Sequence, residues 1–523
     1  MGGGKQVPAT LTRPVMSRPN ASTRDWFSEM ERLFAAARYR EAARLYDEAV
    51  AAGDRASHDA ILLRARLFIK EDSKHVTPFL LKNERKKATP AQNGRRSMYL
   101  GTGYARLGEW GEADRHFSDA KKAFRQGPSL AELAIHITRR YADQQEFEAA
   151  EEWQKKTRLD RSLKGKIRSE HVAAHIFARR QEYEKQAASV LRVLDLIGDK
   201  RNDFAEEWYA AVHTLAALAR ELPLPEAAKR AKAEVDQDID WSDDFAVSHF
   251  QALKGVAWCQ ALAGDELSCL RYLRLAQRLN IGSVWRVIVY LDRSFFASVV
   301  GEQQWSLNEF SAAEDLADTI TWEETAGDER VALLLLAEAA ARHAPKRAPF
   351  YIARFNHLGK LRNQLQHFTF DDRLKAMAAY TSGMVKLSSN ERESAEEQLR
   401  IAWAIFDRIG YDVRAAATAI ALHRATAKSR WLHLAEDKLE RYPRSWLSKN
   451  AATALPQADV DLSKMQRAVT ELTCEGLSTD EIAQRLGLSR NTILNHLKVV
   501  YRKIGVNTRQ ALVVEAMKRN LVK

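Results

Sequence analysis

Short helical units recur along this chain, and no other feature restricts its fold as tightly. In Tyr39-Arg-Glu-Ala42-Ala-Arg-Leu-Tyr46-Asp-Glu-Ala49 an aromatic, a small residue, an aromatic and a small residue stand at offsets 0, 3, 7 and 10. Trp110, Ala113, Phe117 and Ala120 repeat the spacing, preceded by Leu100-Gly101-Thr-Gly-Tyr104-Ala-Arg-Leu107-Gly108. Looser copies run through Phe147, Ala150, Gln154 and Thr157, and through Tyr183, Gln186, Val190 and Val193. Cys269, Leu273 and Ala276 form a partial copy, as do Gly383, Ala395, Leu399 and Ala402. Such spacing puts the residues on one helical face, where small side chains admit a neighbouring helix and large ones fill the gap. Ala42, Ala113 and Ala150 lie 71 and 37 residues apart, which sets a unit of about 36 residues. Alternating β-branched runs bounded by turn residues are missing, so the expected class is all-α.

These signatures resemble the tetratricopeptide repeat, a helical hairpin of roughly 34 residues. The unit at 97–124 carries the resemblance best, whereas the stretch between about 200 and 245 reads as helices without a clean repeat. The expected architecture is an α-solenoid of tetratricopeptide-like hairpins over 23–442, after a flexible lead-in over 1–22. Tyr442-Pro443, Ala451-Ala-Thr-Ala454 and Pro456 mark 443–460 as a linker, and a small four-helix domain is expected over 461–523. Tryptophans such as Trp26, Trp110, Trp153, Trp208, Trp258, Trp305 and Trp403 stand at helical spacing and read as core, not as a peptide groove. A solenoid offers a concave partner surface, but the repeat pattern does not say which residues line it.

Charge is spread unevenly. The formal net charge is +12, and from Arg490 onward eight basic residues face one acid, Glu515. More than half of the excess therefore lies in the last 34 residues, as a polyanion partner would require. A second basic stretch, from Lys82 through Arg85 to Arg95-Arg96, reads as a solvated loop between helices. Cys259, Cys269 and Cys474 form no CxxC pair and are too few for a disulfide framework, which points to a reducing cytoplasm. No signal peptide is read in the first twenty residues. The longest apolar stretch, near Val331–Ala341, is broken by Glu338 and is short of the roughly 18 residues a membrane span needs.

Four helix starts can be read in 461–523. Ser463 with Gln466, Ser478 with Glu481 and Asn507 with Gln510 have capping-box spacing, and Ser489 can cap a helix beginning at Arg490. Gly487 can take the left-handed conformation that ends one helix just before the next begins. Ala483 is small where the two helices must cross, and the whole is the pattern of a helix-turn-helix. In the helix from Arg490, Ile493, Leu497, Val500 and Ile504 make an apolar stripe. Asn491, Asn495, Lys498 and Arg502 lie opposite at the same spacing. Amides and cations without an acid are the groups that read base edges between phosphates.

Gly476-Leu477-Ser478, Glu481-Ile482-Ala483, Leu486, Leu488-Ser489, Thr492-Ile493, His496, Lys503-Ile504-Gly505-Val506, Arg509 and Ala511 together resemble the LuxR-type helix-turn-helix domain. The resemblance covers roughly 60 of the 523 residues. It implies a recognition helix from Arg490 to Ile504 in the major groove, where Arg490, Asn491, Leu494, Asn495, Lys498 and Arg502 face DNA. It also implies that Thr492, Lys503 and Arg509 sit near phosphates, and that Val513, Val514 and Met517 on the last helix pair two protomers. Two departures stand out. Met465-Gln466 replaces a usual Arg-Glu pair, removing an expected salt bridge, and Leu494 stands where a cation is usual.

Other chemistry is not found: no GxxxxGK(S/T) phosphate loop, no metal-spaced histidine cluster, no alternating β/α receiver domain. The expectation is a non-enzymatic, sequence-specific transcriptional regulator without cofactor or metal. Its expected partners are double-stranded promoter DNA, bound as a homodimer, and a protein, peptide or small-molecule effector on the solenoid. RNA polymerase is a further candidate partner, no membrane is expected, and the expected location is cytoplasmic and nucleoid-associated. The alternative is a repeat scaffold for protein assembly with only accessory DNA binding.

Overall fold

Where each helix stops decides how the next one packs. The computed structural model describes residues 26–71, 75–85, 87–237, 243–325, 328–361, 372–454, 462–504, 506 and 508–518, and among them helices and turns occur but no strand. Among the described residues of the array, nine turns between helices close in the same way. A residue with positive φ follows the first helix, at Ala37, Gly53, Gly108, Gln145, Gln181, Gly264, Gly301, Asn390 and Gly410. The next residue's amide then donates to the carbonyl five positions back, at 2.8–3.0 Å: Arg38 to Leu33, Glu109 to Tyr104, Glu146 to Tyr141, and so on to Tyr411 and Phe406. This closure satisfies carbonyls that the helix end would leave unpaired, and it reverses the chain. Gly108, Gln145 and Gln181 lie 37 and 36 residues apart and Gly264 and Gly301 lie 37 apart, so the turn recurs with the sequence unit.

The small residues of that unit sit where helices cross. Ala42, Ala113, Ala150, Cys269 and Ala395 are buried, with Tyr46 and Phe117 beside them in the core. A Cβ added at Gly101 would stand 2.7 Å from the Phe117 ring, and one at Gly383 would stand 2.6 Å from Leu399. Each glycine on a first helix thus receives a large side chain of the second. Trp208 and Trp258 are buried, and Trp26, Trp305 and Trp403 pack partly buried against the core. Even the irregular stretch forms a hairpin, Ala205–Glu221 and Pro225–Val235.

Successive turns of the superhelix touch. Tyr39 Oη donates to Glu206 at 2.8 Å, Gln181 Nε2 to Asp372 at 3.0 Å and Tyr442 Oη to the Leu222 carbonyl at 3.3 Å. These partners are 167, 191 and 220 residues apart in sequence. Arg414 meets Glu221 at 3.3 Å, and the Tyr183 and Tyr411 rings lie 5.1 Å apart.

Part of the expected linker is helical. Trp446–Ala454 is a helix whose Trp446 ring lies 5.6 Å from Trp258 and 6.1 Å from Phe295, with Leu447 and Ala451 buried. The apolar residues Trp446, Leu447 and Ala451 share a face that the small-residue run concealed. The lead-in 1–22, and Pro456 with the rest of 455–461, lie outside the described residues. The basic stretch is only partly the expected loop: Lys82 ends one helix and Arg95 and Arg96 stand inside the next, Pro90–Arg106, while Arg85 and Arg96 donate to the Ala56 and Leu80 carbonyls at 3.2 and 3.3 Å. Among the described residues no helix is long and apolar enough to cross a membrane.

Candidate nucleic-acid interface

Serine and threonine hydroxyls start all four C-terminal helices, Lys464–Cys474, Thr479–Leu486, Arg490–Ile504 and Arg509–Lys518. Ser463 accepts from the Gln466 amide at 3.2 Å while Gln466 Oε1 accepts from the Ser463 amide at 3.1 Å. Ser478 and Glu481 form the same reciprocal box, at 3.3 and 2.6 Å. Hydrogen bonds from the Ser478 backbone and hydroxyl hold the Glu481 carboxyl below its ordinary pKa. Ser489 accepts from the Thr492 amide at 3.1 Å, and the two hydroxyls lie 2.8 Å apart. The fourth start departs from expectation. Thr508 accepts from the Ala511 amide at 3.1 Å, so the cap falls one residue after Asn507, which lies outside the described residues. A threonine at the end of Val506-Asn-Thr offers the same acceptor as asparagine, and spacing alone could not choose between them.

The turn between the second and third helices is closed at Gly487, with φ +64°, where the Leu488 amide donates to the Ala483 carbonyl at 3.0 Å. Ala483 is buried, as close crossing requires. Ile493, Leu497, Val500 and Ile504 are buried together with Val469, Leu472, Ile482, Leu512 and Ala516. That core fixes the rotation of Arg490–Ile504 and so decides what faces outward. Asn491, Leu494, Asn495, Lys498 and Arg502 are exposed, and Leu494 is the one large apolar side chain among these five. Arg490 is exposed as well and pairs with Asp480 of the preceding helix at 3.1 Å. Its charge is therefore partly offset, in a site whose own helix carries no acid. Thr492 is half-buried with its hydroxyl on Ser489.

Two of the expected phosphate neighbours have partners inside the domain. Lys503 Nζ donates to Gln466 Oε1 at 3.0 Å, joining the first and third helices. Where a carboxylate would have made a salt bridge, the amide oxygen makes a hydrogen bond, so the link between these helices is kept in neutral form. Arg509 donates to the Leu477 carbonyl and ties the fourth helix to the turn before the second. Neither tie is visible in sequence, because their partners are 37 and 32 residues away. On the fourth helix Val513 is half-buried and Val514 is 53% exposed, while the Met517 side chain lies outside the described residues.

This geometry defines a helix-turn-helix with an outward polar third helix. The sequence profile described as "Bacterial regulatory proteins, luxR family" matches residues 460–516. The spore germination protein GerE of Bacillus subtilis (strain 168) is 39% identical over 57 residues, which are 11% of this chain and 77% of that protein. A putative HTH-type transcriptional regulator of Mycobacterium tuberculosis (strain ATCC 25618 / H37Rv) is 45% identical over 58 residues, 11% of this chain. The chain spans only 7% of the length of that relative. Through its C-terminal domain the chain belongs to the luxR family. Among solved structures, a Rap protein complexed with competence and sporulation factor aligns over 82% of this chain and 98% of its own, at 10% identity and a TM-score of 0.32. The APC/C hetero-tetramer Cut9-Hcn1 aligns over 93% and 95%, at 12% identity and a TM-score of 0.26.

Proposed function

We propose that the chain is a transcriptional regulator that binds double-stranded promoter DNA by sequence, with the repeat array sensing or recruiting an effector. One observation carries the reading: the core turns Asn491, Asn495, Lys498 and Arg502 outward together, on a helix with no acid. Asn491 and Asn495 suit an adenine edge, Lys498 and Arg502 suit guanine or phosphate, and Leu494 suits a thymine methyl. Thr492, Lys503 and Arg509 are assigned to phosphates. A lysine ammonium has three donors and a guanidinium five, so Lys503 and Arg509 can keep Gln466 and Leu477 while donating outward. Homodimerisation through Val513, Val514 and Met517 belongs to the same proposal, and no cofactor or catalytic step is required. Gel-shift titration of the full chain on genomic fragments tests it. For about four neutralised phosphates, affinity should fall roughly a hundredfold between about 50 and about 200 mM salt. Binding that ignores salt, or no binding to any fragment, refutes the reading.

A further inference from the structure

Contact between successive superhelical turns leaves a half-open cavity of about 500 Å³ that the DNA-binding reading leaves unused. Its walls come from residues of both turns, including Gln181, Tyr183 and Glu221 on one side and Tyr411 and Arg414 on the other. These are the residues that hold the turns together, so anything bound here touches the seam itself. The volume falls in the range of small-molecule sites, roughly 300–1,000 Å³.

The lining is charged unequally: five cations, Arg179, Arg220, Lys254, Arg373 and Arg414, stand against two carboxylates, Asp143 and Glu221. Lys254 is offset by Asp292 at 2.9 Å, and Arg179 by Asp143 at 2.8 Å. Arg220 and Arg414 both rest on the buried Glu221, at 2.9 and 3.3 Å. Two guanidiniums on one carboxylate leave a surplus positive charge at the seam. Glu338, which also acts on Arg414, is itself paired with Arg342 at 3.3 Å. Gln186 also lines the cavity, and its Oε1 is buried and accepts from no donor among the described residues. Such an oxygen calls for an N–H or O–H. Trp285, Ile288, Leu335, Met377 and Phe406 supply apolar wall.

We infer that this cavity binds a small organic carboxylate with an apolar body and a hydrogen-bond donor, of the N-acyl amino acid type. The carboxylate bridges Arg220 and Arg414, the donor reaches Gln186, and the bound molecule fastens one superhelical turn to the next. The inference rests on the reading of the array as sensory and names the effector's chemistry.

The test uses the full chain and three probes: N-acetylphenylalanine, its methyl ester, which lacks the charge, and 3-phenylpropionate, which lacks the donor. Binding is followed by calorimetric titration and by tryptophan fluorescence, since Trp285 is in the wall. The acid should bind about tenfold or more tighter than either control, the scale of one lost charged or buried hydrogen bond. Gln186→Leu should abolish the preference over 3-phenylpropionate, and Arg414→Gln the preference over the ester, with circular dichroism showing both variants folded. If Arg414→Gln fails to fold, the Gln186→Leu result decides alone. No binding of the acid, or equal binding of acid and ester, overturns the inference. Gel shifts on the same preparations report separately: intact DNA binding with no carboxylate binding defeats only the cavity, and the reverse result defeats only the DNA reading.

Discussion

Asn495 and Lys503 lie on one helix but differ in what already holds them. Asn495 is exposed, whereas Lys503 donates to Gln466 on the first helix. Asn495→Ala should cost about 1–3 kcal/mol at one preferred base and flatten the preference there. Lys503→Ala should weaken all sequences alike and lower the salt slope by about one unit. Because it also severs the tie to Gln466, it should lower the melting temperature of the C-terminal domain, which Asn495→Ala should not. Binding-site selection with each variant, beside thermal melts, checks both halves; a changed motif in Lys503→Ala with an unchanged one in Asn495→Ala would reverse the assignment. At this scale the outward face was legible from the 4, 3, 4 spacing of Ile493, Leu497, Val500 and Ile504. The ties of Lys503 and Arg509 were not, because they depend on how helices distant in sequence dock.

Among elements, units were legible from the spacing of their helices and not from the turns: those after Ala37, Gln145, Gln181 and Asn390 were read, while those after Gly301 and Gly410 were not. Five of the turns' left-handed positions are glycines, Gly53, Gly108, Gly264, Gly301 and Gly410, which take the conformation without strain. The other four are Ala37, Gln145, Gln181 and Asn390, where a side chain tolerates the conformation and leaves no trace in composition. Docking of helix on helix is more exacting. Gly101→Ala places a methyl against the Phe117 ring and should destabilise the array by about 1–3 kcal/mol, read as a lower denaturation midpoint. An unchanged midpoint would mean that the ring moves aside freely. On the last helix, Val514→Glu together with Val513→Glu should uncouple two half-sites spaced about 10 base pairs apart, shortening the footprint. Footprints of the same length and strength would place dimerisation elsewhere.

For the whole molecule, the contact between turns was beyond sequence reading, since its partners are as much as 220 residues apart and each looks like an ordinary surface residue. It makes a testable demand on pH. Burial alone would raise the pKa of Glu221, but Arg414 and Arg220 outweigh it and hold the carboxyl below its ordinary 4.5. A lowered folded-state pKa means stability that is present above about 4.5 and lost as pH falls through the folded value. Glu221→Gln should therefore melt below the native chain at neutral pH, with the gap shrinking as pH falls below 4.5; a gap that stays constant would show that Glu221 does not fasten the seam as a carboxylate. The helix Trp446–Ala454, rooted in the array through Trp258, has a consequence of another kind. Between Ala454 and Leu462 the backbone can reach at most about 30 Å, even fully extended. That is less than one turn of duplex DNA between half-site centres, roughly 34–36 Å. If the last helices hold DNA as proposed, the end of the array at Ala454 must therefore stay within about that distance of Leu462, closer to the bound half-site than the two half-sites are to each other.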